Sequence, residues 1–221
     1  MDFSPVIISL RTATASIAVT FVLGVTLAWA VVSLRNEKLK TFFDGLLTLP
    51  MVLPPTVAGF FMLYIFGLRR PVGQFLNDSL GLRVTFSWGA TVLAAVVISL
   101  PLMYRAARGA LEQVDGELIQ AARTLGLGEW TIFTRLRLPL AAPGLVSGGI
   151  LAFARGLGEF GATIMIAGNI AGRTRTLPLA VYSAVAAGDM ETAFVYVAII
   201  VAIAFVAVAA LNRAARWRKS L

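Results

Sequence analysis

The side chains able to do chemistry in this chain are few, and two of them sit where charge is costly. Arg155 and Glu159 stand four residues apart in Ala152-Phe153-Ala154-Arg155-Gly156-Leu157-Gly158-Glu159-Phe160, a stretch otherwise apolar. An isolated charge at the centre of a bilayer costs about 2.5 kcal/mol or more, so each must neutralise the other or face a protein interior. Two readings stay open, a structural clamp or an element of a pathway or gate. A deep anion site on Arg155 alone conflicts with the repulsion Glu159 would exert on an oxyanion. Within one helix the order Arg then Glu opposes the dipole, so a tertiary reason for the pair is expected. Cysteine and histidine are both absent, which removes disulfides, thiol nucleophiles and nearly all transition-metal ligation. No G-x-x-x-x-G-K-S/T phosphate loop occurs either, so hydrolysis of ATP by this chain alone is not expected.

A second group lies in the longest polar interval. In Gly116-Glu117-Leu118-Ile119-Gln120-Ala121-Ala122-Arg123-Thr124-Leu125-Gly126-Leu127-Gly128-Glu129-Trp130, the residues Leu118, Ala121, Ala122 and Leu125 recur at helical spacing. Gly126 and Gly128 should end that helix and let another begin near Trp130. The spacing predicts a short amphipathic helix with an apolar face made of those four residues. Such a face either docks in a partner's groove or lies on the membrane interface.

These groups must be positioned by membrane helices. The chain is 58% hydrophobic and only 14% charged, well below the roughly 25% charge of soluble domains. Five apolar stretches can each cross a core of about 30 Å: Thr12 to Leu34, Gly45 to Leu68, Val84 to Tyr104, Leu138 to Ala154 (continuing past two charges to about Gly168), and Thr192 to Asn212. With the N-terminus outside, twelve Lys and Arg residues fall on the cytoplasmic side and six outside (Arg11, Arg69, Arg70, Arg83, Arg173 and Arg175), Arg155 being the nineteenth. The positive-inside rule therefore favours N-out and C-in, and explains the net charge of +8 without nucleic acid. No cleaved leader is expected, since the first eleven residues lack a basic n-region. The expected organisation is one transmembrane domain over 1–221, with a cytoplasmic loop at about 105–139.

Within the second stretch, Leu49-Pro50-Met51-Val52-Leu53-Pro54-Pro55-Thr56 carries three prolines, and a kink follows near its middle. It is either a bend that neighbouring helices tolerate or a break lining a pathway. The fourth stretch carries Gly144, Gly148, Gly149, Ala152, Gly156, Gly158 and Gly161, small residues that favour close helix packing, within the subunit or across a dimer, over pore lining. Thr176 to Gly188 is uncharged but too short to cross, and is expected to lie at the outer surface or to re-enter.

Gln120-Ala121-Ala122, Gly126 and Leu136-x-Leu138-Pro139 resemble the EAA loop of ABC-importer permeases, E-A-A-x3-G-x9-I-x-L-P, with Gln120 in place of Glu and Leu136 in place of Ile. Leu49 to Gly59, Ala152 to Ile164 and Thr174 to Ala180 are similar to molybdate-transport permeases. The resemblance implies an all-α type I importer permease of five transmembrane helices plus a coupling helix. It implies a homodimer, two ABC ATP-binding subunits docked on the loop, and a periplasmic oxyanion-binding protein. ATP would be used by the partner subunit, with no cofactor or metal on this chain. Gln120, Ala121, Ala122, Gly126, Leu136, Leu138 and Pro139 would form the ATPase-coupling loop, and Pro54, Pro55, Arg155 and Glu159 the pathway or intramembrane clamp. A sulfate/thiosulfate or tungstate permease remains the alternative within the class. An autonomous anion channel or a proton-coupled carrier, with Glu159 as its titratable group, is the alternative outside it. An integral-membrane enzyme lacks the clustered carboxylates it would need.

Overall fold

A computed structural model describes residues 2–217; Arg218 and Lys219, counted above in the basic balance, lie outside them. The described residues form eleven α-helices: α1 Ser4–Val32, α2 Glu37–Val52, α3 Pro55–Phe66, α4 Pro71–Leu80, α5 Trp88–Glu112, α6 Gly116–Thr124, α7 Glu129–Ile132, α8 Leu138–Leu157, α9 Gly161–Ala167, α10 Leu177–Ala186 and α11 Met190–Trp217. A π-helical turn, Phe133–Arg137, joins α7 to α8 without interrupting the rod. Four rods are long and apolar enough to cross a membrane, Ser4–Val32, Trp88–Glu112, Glu129–Leu157 and Met190–Leu211, and α2 with α3 makes a fifth if that pair counts as one span. This is the all-α arrangement expected.

The centre is a three-helix seam of α1, α5 and α8. Val25, Ala28, Met103, Tyr104, Ala107, Leu145 and Ala152 are all buried there. Small residues let the backbones close up. A Cβ on Gly148 would collide with the Ala106 methyl, and one on Gly144 would lie 2.7 Å from the Ala110 methyl. The fourth stretch thus uses these glycines for packing within the chain, one of the two kinds of packing expected. Across the same seam Thr12 and Thr91 share a hydrogen bond of 2.9 Å and Thr20 and Ser99 one of 3.2 Å. In lipid such interhelical bonds contribute about 0.6 kcal/mol each.

A second core unites α3, α5 and α9 through Ala58, Met62, Ala90, Ala94, Ala162 and Ile166. The segment expected at the surface or re-entering is α10, a packed helix. Leu177 and Ala180 bury against Tyr196 of α11, and the Leu177 N–H donates to Ser9 Oγ at 2.7 Å.

Candidate functional site

The loop after α5 is ordered by its own sequence. Asp115 caps α6 by accepting the Glu117 N–H at 2.8 Å. The helix stops where Gly126 takes φ +79, a conformation that favours glycine, while the Leu127 N–H returns to the Ala122 carbonyl at 3.1 Å. Nothing lies within 4 Å of a Cβ built on Gly126, so the backbone and not crowding demands the glycine. Ile119 and Ala122 turn inward onto Ile132, with Leu136 packed against the cluster. Leu138 packs against the central seam, and Pro139 follows the π turn as the second residue of α8.

This corrects the expected four-residue face. Ala122 belongs to the inner side together with Ile119, whereas Gln120, Ala121 and Leu125 are exposed, Leu125 to 80%, and Leu118 is a half-exposed wall of a cavity shared with α5 and α8. The covering residue, Ile132, comes from α7, which periodicity within α6 does not reveal. Arg123 Nε donates to Glu129 Oε1 at 2.6 Å, tying α6 to α7, and that contact holds the Arg123 pKa above its usual value.

The second site lies where two spans break. Expected as a kink, the Leu53–Pro54 step separates α2 from α3 at 108°. Leu53 (ψ 140) and Pro54 (ψ 135) are both extended, because a residue before proline is pushed out of the helical region, and Pro55 then opens α3. The fourth span does not continue to Gly168 as one helix: α8 ends at Leu157, and α9 starts afresh at Gly161. Arg155 and Glu159 therefore do not share one helix interior. Arg155 occupies the last turn of α8, and Glu159 lies in the break. Arg155 Nη1 donates to Glu159 Oε2 at 2.9 Å, and the Ala162 N–H of α9 donates to Glu159 Oε1 at 2.8 Å. Each charge thus sits at the helix end whose dipole favours it, which removes the objection raised by their order. The Glu159 side chain is 2% exposed and that of Arg155 37%.

The two breaks touch. A Cβ on Gly161 would lie 3.1 Å from both Pro55 Cβ and the Thr56 nitrogen, so the start of α3 abuts the start of α9, two residues beyond Glu159, although a hundred residues separate them in sequence. Phe160 in the second break meets Tyr182 of α10 with ring centroids 5.5 Å apart.

One cluster was missed by the sequence reading. Asp44 of α2 pairs with Arg108 of α5 at 2.6 Å and accepts the Tyr104 hydroxyl at 3.1 Å, while Arg108 also holds Glu112 at 2.9 Å. Tyr104, Arg108 and Glu112 fall at i, i+4 and i+8, a legible polar stripe; Asp44, sixty residues away, carried no signal. Among the basic residues expected outside, Arg70 lies over the Tyr64 ring at 3.8 Å, and Arg175 Nε donates to Asn169 Oδ1 at 2.8 Å.

Residues 20–219 match the family described as binding-protein-dependent transport system inner membrane component. The chain belongs to this family. Among curated relatives, the molybdenum transport system permease protein ModB of Escherichia coli K12 is 46% identical over 182 residues, covering 82% of this chain and 79% of the relative. The protein of the same name from Azotobacter vinelandii is 34% identical over 221 residues, covering 100% and 97%. Among solved structures, the inward-facing MetNI methionine ABC transporter superposes with a TM-score of 0.76 at 19% identity, over 97% of this chain and 94% of that one. A bacterial alginate ABC transporter in complex with a periplasmic protein bound to an alginate pentasaccharide gives 0.75 at 16%, over 98% and 79%. The fold is that of ABC-importer permeases.

Proposed function

We propose that this chain is the permease subunit of an ATP-driven importer that moves molybdate across the inner membrane. The observation that carries the reading is the similarity to molybdenum transport permeases over four-fifths of the chain or more. Two copies would enclose the pathway, with N-termini outside and C-termini in the cytoplasm. A periplasmic binding protein delivers the oxyanion, and two ATP-binding subunits, which alone hydrolyse ATP, grip the α6 loops.

The division of α6 into two sides supports this assignment. Ile119, Ala122 and Leu136 make the loop a firm part of the bundle, while Gln120, Ala121 and Leu125 present a knob that a groove can hold through i, i+4 anchors. Closure of the ATPase pair on ATP binding would then move the rods joined to the loop and turn the pathway from one side to the other. Arg155 and Glu159 act as a clamp that holds the paired breaks through this motion.

The decisive experiment is uptake of labelled molybdate by cells lacking their own importer and supplied with this chain, its ATPase and its binding protein, with and without excess sulfate. Uptake that needs this chain and ignores sulfate is expected. Uptake abolished by sulfate assigns the chain to sulfate transport instead. In the same assay Leu125→Asp should cut uptake about tenfold or more with the chain still folded, because that side chain touches solvent. Normal uptake by that variant removes Leu125 from the docking surface.

A further inference from the structure

Where α1 ends, a cavity of about 540 Å3 opens beside α6, α7 and the π turn, and transport gives it no task. Trp29, Ser33 and Arg35 line it from the α1 side, and Arg123, Glu129 and Arg137 from the other. Three arginines thus meet one carboxylate, and that carboxylate is already engaged by Arg123. Arg35 makes no ion pair among the described residues. Arg137 is more unusual still: its Nε is shut off from solvent and has no hydrogen-bond partner among the described residues. A buried N–H in that condition is costly, so the cavity holds a donor without its acceptor.

The backbone explains how Arg137 arrives there. It closes the π turn Phe133–Arg137, whose added residue per turn rotates the side chains away from the α-helical register, a distortion common at functional sites. The ligand chemistry follows from the donors. A tetrahedral oxyanion accepts several N–H groups at once and can take a guanidinium through two parallel bonds. The setting favours a lipid as its source. Trp29 packs against Phe133 and Trp130, with centroids 4.7 and 5.7 Å away, the kind of aromatic cluster found at membrane interfaces. Basic pockets between spanning helices recognise anionic headgroups. The volume also exceeds what a bare ion fills, since one water occupies only about 30 Å3.

We propose that this cavity binds a tetrahedral oxyanion through Arg35, Arg123 and Arg137, and that the occupant is the phosphate of an anionic phospholipid headgroup. Bound there, the phosphate bridges the end of α1 to α6 and the π turn, so lipid charge reaches the loop.

The test uses the full chain purified in a neutral detergent, with retained lipid read by native mass spectrometry and stability by thermal unfolding. Phosphatidylglycerol should be retained and raise the unfolding temperature, and phosphatidylcholine should do neither. Arg35→Gln combined with Arg137→Gln should weaken retention about tenfold or more while helical content is unchanged. Arg35→Gln alone, at an exposed position, should give a smaller loss and leave the fold unchanged, as surface substitutions usually do. Equal retention of the two lipids, or undiminished retention by the variants, overturns the proposal. Stabilisation by millimolar orthophosphate, with no further gain from phosphatidylglycerol, keeps the oxyanion site but overturns the lipid as its source. Variants that retain lipid normally yet lose the ATPase subunit make the cavity a protein-docking surface, which also overturns it.

Discussion

The two breaks in the spanning segments abut, yet they are made by different chemistry. Between α2 and α3 the chain is turned by consecutive prolines, whose rings exclude the helical conformation at the preceding residues wherever the segment is placed. Between α8 and α9 there is no proline. Gly158 ends one helix with φ −84 and ψ 10, and the next is started by Glu159, which spends one carboxylate oxygen on the Ala162 N–H and the other on Arg155. The first break is covalent and local. The second is braced by side chains from either side of it, through the Arg155–Glu159 pair and the Ala162 N–H, so substitution tests it through a partner and not through a local backbone constraint.

The largest effect should come from Arg155→Leu. Glu159 is 2% exposed and would remain as a buried carboxylate with one backbone donor, whereas Arg155, 37% exposed, could find other partners if Glu159 were lost. Breaking a buried pair from one side costs about 3–5 kcal/mol, and replacing both partners with apolar residues can be nearly neutral. Thermal unfolding of the purified chain should therefore rank Arg155→Leu below Glu159→Leu, with the double variant Arg155→Leu/Glu159→Leu recovering most of the loss. A double variant no more stable than Arg155→Leu means that the pair is not a clamp. An intermediate effect belongs to the seam between the breaks. A Cβ on Gly59 would lie 2.8 Å from both Ala162 Cα and Met165 Cβ, so Gly59→Ala must push α9 from α3, at about 1–3 kcal/mol for overpacking. Unfolding at the wild-type temperature would show that the seam yields freely.

The same contrast explains what could be read from the sequence. The proline break was legible because its cause is the residue type at Pro54 and Pro55, although the turn of 108° exceeds a kink. The loop motif was legible for a similar reason: Gly126 marks a positive φ, and Leu136 and Leu138 must reach the interior. What failed was whatever depends on a distant partner. Ala122 was placed on the outer face because Ile132 lies outside α6. Glu159 was placed inside a helix because its partner at Ala162 becomes available only if the helix has already stopped. Gly158 and Gly161 on either side of that carboxylate were the available clue, since a glycine just past one helix and an acid just before another are ordinary stop and start signals. Asp44 was overlooked because no local pattern leads from α2 to Tyr104 and Arg108.

The smallest expected effect tests whether the covalent break is redundant. In Pro54→Ala the new alanine still precedes Pro55, so it stays out of the helical region and the turn should persist. Stability should then change by less than about 1 kcal/mol, within the range of ordinary substitutions. Replacing both prolines with alanine removes the constraint at Leu53 as well as at residue 54, and α2 becomes free to run on into α3. Because the chain has no cysteine, spin labels attached to cysteines introduced at the exposed Leu46 and Phe61 report on this directly. The label distance should be unchanged by Pro54→Ala and longer or broader in the double variant. A shift already present in the single variant would mean that Pro54 alone sets the turn, and an unchanged double variant would mean that packing of α9 on α3 holds it instead.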